Sequence, residues 1–125
     1  MTYIEKVTKR ESRIFWMLTV SYMGLIFFLS SLHGFSLPEL PKNSDKFIHT
    51  VAYMPLGFLF YMSFIKSGFG RYVFAFAMLL TVLYGVTDEF HQSFVPGRYA
   101  TIGDVVADSI GALLGCLGAS FIKKR

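Results

Sequence analysis

Four stretches of this chain are long and apolar enough to cross a membrane, and that constrains the fold more than any other feature. They run over Ile14–Leu32, Phe47–Ile65, Tyr72–Glu89 and Ile102–Ile122. A hydrocarbon core about 30 Å thick takes about 20 helical residues. Lipid supplies no partners for backbone N–H and C=O groups, so each stretch must satisfy its own as a helix. The third has the shortest purely apolar run, to about Thr87, and its helix is expected to continue into the polar residues that follow. The reading is an all-α membrane protein, a four-transmembrane-helix bundle forming one domain over residues 1–125. With 54% hydrophobic and 16% charged residues, a water-soluble domain is excluded.

The net charge of +4 raises the question of a nucleic-acid partner, and the placement of the charges answers it. Lys6, Lys9, Arg10 and Arg13 precede the first span, Lys66 and Arg71 separate the second from the third, and Lys123, Lys124 and Arg125 follow the fourth. Nine of the twelve basic residues thus lie in alternate flanks, which predicts that both termini are cytoplasmic. The basic surplus reports topology and anionic lipid headgroups, and no nucleic acid is expected. The first span has basic residues ahead of an apolar run, as a signal peptide does. Its run is longer than the usual apolar region and lacks a clean small-x-small cleavage site, so it is read as retained. Cys116 is the sole cysteine, which excludes an intrachain disulfide and suits a small packing residue.

The loops follow from their turn residues. Gly34, Pro38 and Pro41 shape the first outer loop, His33–Ser44. The short Lys66–Arg71 segment forces an antiparallel hairpin between the second and third helices. Pro96-Gly97 ends the third helix region in a turn. In the fourth span Ala107, Gly111, Gly115 and Ala119 recur every fourth residue. Such a stripe lets a neighbouring helix approach closely, and packing rather than the hydrophobic effect holds helices together in lipid. It serves either the bundle itself or a homo-oligomer or membrane-protein partner.

The polar residues concentrate at the outer helix ends. Asp45, Lys46 and His49 open the second helix; Asp88, Glu89, His91 and Gln92 close the third. Arg98 lies in the turn, and Asp104 and Asp108 open the fourth. The topology brings all of them to one depth, at the outer interface. Asp45, His49 and Tyr53 are spaced by four and share a helix face. Pro55 leaves the carbonyl of Val51 without its usual donor, so a kink or a bound polar group is expected there. Asp45 has a structural alternative as a helix-N-terminal acid with Ser44 as cap, and Thr101-x-x-Asp104 fits a capping box. Asp88 and Glu89 face the unfavourable end of a helix dipole and need a cation, for which Arg98 or Lys46 is the candidate. His91 could simply face water. Asp108 has no such structural excuse, lying about 9 Å deeper than Ile102 at 1.5 Å per residue.

Six outer acids (Glu39, Asp45, Asp88, Glu89, Asp104, Asp108) face three bases (Lys42, Lys46, Arg98). The surplus could hold a divalent metal through Asp45, His49, Glu89 and Asp108, or an ammonium-bearing ligand. No standard metal motif is present, and neither metal nor cofactor is expected. No nucleophile elbow, P-loop or dinucleotide fingerprint appears either.

Asp45-Lys46-x-x-His49-x-x-x-Tyr53, then Glu89-x-x-Gln92-x-x-x-Pro96-Gly97-Arg98, then Asp104-x-x-x-Asp108-x-x-Gly111-x-x-x-Gly115 resemble the VanZ-like family of small bacterial membrane proteins. The resemblance spans Asp45 to Gly115. Asn or Asp is usual in the family where Asp108 stands, and Gly-Ser is frequent where Ala100-Thr101 stand, a departure in the loop. The resemblance implies a polytopic protein of the bacterial cytoplasmic (inner) membrane, linked through the family's founding relative to resistance against the glycopeptide teicoplanin. It supplies no reaction.

Three functions compete. The first is an extracytoplasmic site for an envelope amphiphile, a lipid-linked precursor headgroup or a lipoglycopeptide. There Arg98 and Lys46 hold anionic groups, and Asp45, Tyr53 and Gln92 contribute with His49, Glu89 and Asp108. The second is an interfacial hydrolase or transferase acting on a lipid headgroup. Glu89 or His49 is then the general base, Asp104 or Asp108 positions partner groups, and Arg98 stabilises negative charge. The third is a polar set that only holds the bundle together or docks another membrane protein.

Overall fold

A computed structural model describes residues 2–32 and 44–123. The turn residues Gly34, Pro38 and Pro41 and the charged residues Glu39, Lys42, Lys124 and Arg125 lie outside them, as does the backbone that would cap the second helix. The described residues form four long helices: α1 (Tyr3–Ser30), α2 (Ser44–Lys66), α3 (Val73–Gln92) and α4 (Ile102–Lys123). No strand occurs among them. Each helix, α3 with its preceding turn, is long and apolar enough to span a bilayer.

α1 starts well before the apolar run that marks it in the sequence. Thr2 Oγ1 accepts from the Glu5 N–H at 3.2 Å, and the Thr2 N–H donates to Glu5 Oε2 at 2.7 Å. This capping box satisfies two of the donors that a helix start leaves unpaired. At 28 residues α1 is about 42 Å long at 1.5 Å per residue, so its basic first turns extend beyond a hydrocarbon core. Ser44 lies inside the first turn of α2 rather than capping it.

α2 is the hub. It packs along α4 most extensively, and α1 and α3 flank it; α3 also packs on α4, while α1 touches α3 only lightly. The small-residue stripe accounts for the α2–α4 pair. A Cβ placed on Gly111 would fall on the carbonyl oxygen of Thr50, and one on Gly115 would fall on that of Met54. Across the same seam Gly57 leaves room for the Ala112 carbonyl, at 2.7 Å from where its Cβ would stand. Ala107 and Ala119 are buried as well, so this face of α4 is filled by α2 of the same chain. Cys116 lies in it, with its Sγ 3.5 Å from the Gly57 carbonyl oxygen.

Hydroxyl and indole groups hold α1 to the rest, as befits helices that lipid does not press together. Trp16 stacks edge-on against Phe64 at 5.1 Å and donates to Ser67 Oγ at 2.8 Å. Thr19 and Ser63 share a buried hydrogen bond of 2.9 Å. Tyr22 donates to the carbonyl of Ala52, the residue after the Val51 carbonyl that Pro55 frees. The outward faces carry Phe27, Phe28, Leu79, Leu83, Leu113, Leu117 and Phe121, all exposed. In water such a surface would drive aggregation; against acyl chains it is the expected coat.

The α2–α3 hairpin turns through Gly68 (φ 87°) and Gly70 (φ 60°), and the α3–α4 turn through Gly97 (φ 77°), left-handed conformations that favour glycine. α3 runs without interruption through Asp88, Glu89, His91 and Gln92, as the sequence predicts. The C-terminal ends of α1 and α3 therefore meet the N-terminal ends of α2 and α4.

Candidate functional site

At that end of the bundle the chain buries four carboxylates: Asp88, Glu89, Asp104 and Asp108 are 7%, 6%, 2% and 0% exposed. Burying so many acids is costly unless each is held by hydrogen bonds or a cation. Each is held differently.

Asp88, on α3, accepts from Tyr53 OH at 3.0 Å on one oxygen and from Ser30 Oγ on the other. Gln92 Nε2 in turn donates to Ser30 Oγ at 3.3 Å. Glu89, one residue on, points toward α4 and α2. Its Oε2 accepts from the Thr101 N–H at 3.3 Å, while its Oε1 lies 3.6 Å from His49 Nδ1. Asp108 meets the same His49 nitrogen at 2.8 Å through Oδ1. Asp104 pairs with Lys46 Nζ at 2.7 Å.

The cations are arranged otherwise than the sequence suggested. Neither Arg98 nor Lys46 pairs with Asp88 or Glu89. Lys46 lies across the start of α4, bridging Asp45 and Asp104 at 2.7 Å each and reaching Thr101 Oγ1 at 3.2 Å. Asp45 is more than half exposed and stands apart from the buried acids. Arg98 makes no salt bridge among the described residues. It lines a cavity of about 100 Å³ with Ser30, His49, Tyr53 and Asp88 on the polar side and Ile26, Leu29, Ile48 and Ala52 on the apolar side.

The expected capping box at α4 is shared between helices. Thr101 Oγ1 accepts from the Asp104 N–H at 3.2 Å, its usual half. The carboxylate that should return to the Thr101 N–H is not that of Asp104, which Lys46 takes, but that of Glu89 from α3. A packing contact between helices thus replaces a local one. His91 stacks on Phe27 at 4.6 Å between ring centroids, with Nε2 3.5 Å from Ser31 Oγ, so it packs against α1 rather than facing water.

The structure therefore gathers His49, Asp88, Glu89 and Asp108 into one buried group, with Tyr53 and Gln92 behind Asp88. Arg98 stands at the adjoining cavity, and Lys46, Asp45 and Asp104 form a separate cluster. Ser30, Gly85 and Gly103 belong to the site and escape sequence reasoning, as does the bond from the Thr101 N–H to Glu89. A Cβ on Gly85 would stand 2.9 Å from Asp108 Oδ2, and one on Gly103 2.9 Å from Lys46 Cε; both glycines make space for a charged side chain. The available signal is their register, Gly85 one helical turn before Glu89 and Gly103 beside Asp104.

A family model described as VanZ/LLP1 matches residues 7–123, nearly the whole chain. The chain belongs to that family, in keeping with the resemblance carried by its polar motifs. No curated protein and no solved structure matches it.

Proposed function

We propose that this end of the bundle is an extracytoplasmic binding site for an envelope amphiphile with an anionic headgroup, in the cytoplasmic membrane of a bacterium. One observation carries the reading: the cavity is divided, apolar on the Ile26, Leu29, Ile48 side and polar on the Ser30, His49, Tyr53 side, where Asp88 is held by Ser30 and Tyr53, with Arg98 contributing a guanidinium that has no acid partner among the described residues. A planar guanidinium suits bidentate capture of phosphate or carboxylate. A volume of about 100 Å³ takes a headgroup fragment and not a whole lipid. The tail would lie along the exposed faces of α1 and α2. Tyr99, exposed after the α3–α4 turn, is a ring type that settles at a membrane interface. The alternating basic flanks support the outward orientation.

Arg98→Ala should lower retention of an anionic lipid. A charge-assisted hydrogen bond contributes about 1.5–3 kcal/mol, roughly a tenfold to hundredfold change in affinity. Native mass spectrometry of the purified wild type and variant reads this directly, and an unchanged set of copurified lipids would refute the role given to Arg98.

The same site supports a link to glycopeptide susceptibility, since teicoplanin carries a lipid tail and acts at the outer membrane face. Cells expressing the wild-type chain should tolerate more teicoplanin but no more vancomycin. Cells expressing Arg98→Ala at matched levels should lose that difference. Equal susceptibility with and without the wild-type chain would remove the glycopeptide part of the proposal and leave the lipid site standing.

A further inference from the structure

His49, Asp88, Glu89 and Asp108 come from three helices, and each offers a ligand atom within 4.8 Å of the others. We propose that they form a binding site for a divalent first-row metal ion, Zn²⁺ or Mn²⁺. A group of acids alone would not justify this. The decisive feature is that two buried oxygens, Glu89 Oε1 and Asp108 Oδ2, have no hydrogen-bond partner in the protein. Buried carboxylate oxygens are almost always satisfied, and those that are not call for a ligand. Glu89 Oε1 is aimed at His49 Nδ1, at 3.6 Å.

The arrangement of the other atoms fits. At metal–ligand distances of about 2.0–2.2 Å, tetrahedral donor atoms stand about 3.3–3.6 Å apart. The 3.6 Å from His49 Nδ1 to Glu89 Oε1 matches that spacing, and the 2.8 Å hydrogen bond to Asp108 would open by a few tenths of an ångström to admit an ion. Two of the three carboxylates are also oriented from behind, as metal ligands commonly are. The Thr101 N–H holds Glu89 Oε2 and leaves Oε1 free. Tyr53 and Ser30 hold Asp88. Gly85, with no side chain, leaves space at Asp108 Oδ2.

Charge agrees with geometry. Glu89 and Asp108 have His49 as their only basic neighbour in ion-pair range among the described residues and Asp88 has none, while Lys46 is taken by Asp45 and Asp104. One nitrogen with three carboxylates favours Zn²⁺ or Mn²⁺ over Mg²⁺, which prefers oxygen ligands and retained water. His49 and Asp88 also line the cavity, which supplies an entry path.

The site shares His49 and Asp88 with the amphiphile cavity, but its test is a separate one. The full chain, purified in detergent and stripped with chelator, is titrated with Zn²⁺, Mn²⁺ and Mg²⁺ by calorimetry, with bound metal counted by mass spectrometry. One Zn²⁺ or Mn²⁺ per chain is expected. Glu89→Gln and Asp108→Asn, which keep side-chain shape, should each weaken it at least tenfold, while Asp45→Asn leaves it unchanged. Binding in wild type but lost lipid in Arg98→Ala would separate the two sites. Absence of stoichiometric binding in wild type would overturn the proposal. So would undiminished binding in Glu89→Gln and Asp108→Asn variants that still run as single monodisperse species.

Discussion

Gly115→Val should prevent the bundle from folding, whereas Gly118→Val, three residues along the same helix, should be silent. Gly115 belongs to the small-residue stripe and Gly118 does not. A Cβ on Gly115 would fall on the Met54 carbonyl oxygen and stand 2.9 Å from the Phe58 amide nitrogen, both backbone atoms of α2 that cannot swing aside. A Cβ on Gly118 would meet nothing within 4 Å. Overpacking against side chains typically costs about 1–3 kcal/mol because the neighbours shift. Here the helices themselves must separate, and the α2–α4 contact is the most extensive in the fold. The cost should exceed that range and be a large part of the 5–15 kcal/mol typical of a folded domain. Size-exclusion profiles and thermal unfolding in detergent distinguish the outcomes. A Gly115→Val protein as monodisperse and stable as wild type would mean that the α2–α4 contact is looser than the backbone distances require. The functional consequence is direct, because α2 and α4 carry His49 and Asp108, which must meet at 2.8 Å.

The physical basis of what could be read in advance is uneven across the molecule. Apolar length reports the helices because lipid leaves the chain so few options. The start of α1 escapes that reasoning, since its first turns are held by Thr2 and Glu5 and need no apolar residues. The convergence of His49, Glu89, Asp104 and Asp108 at one end follows from topology alone. Their pairing does not. Whether Lys46 or Arg98 meets the buried acids depends on rotation and depth of helices, and the structure gives Asp104 to Lys46 and none of them to Arg98. Ser30 is invisible for the same reason, ending an apolar helix with no motif around it yet bonded to Asp88 across the bundle. Polar side chains in a membrane protein announce that a site exists; only packing decides which of them are occupied with one another.

Lys46 and Arg98 are accordingly expected to respond in opposite ways to removal. Lys46→Met leaves Asp104, 2% exposed, without its cation. Breaking a fully buried pair costs about 3–5 kcal/mol. The Lys46 side chain is 36% exposed, so water can partly replace it and about 1–3 kcal/mol is the expected loss. Adding Asp104→Asn to Lys46→Met should restore most of that stability, because the stranded charge is gone. Arg98→Ala, by contrast, removes no ion pair and should leave unfolding unchanged while reducing lipid retention. Unfolding of wild type, the two single variants and the double variant in detergent measures the coupling, with Arg98→Ala beside them. Zero coupling between Lys46 and Asp104 would remove the structural role assigned to that pair and return Lys46 to the ligand-binding set. A strong coupling, together with a stable Arg98→Ala protein, would mean that the bundle is held by one cation and offers the other to whatever enters the cavity.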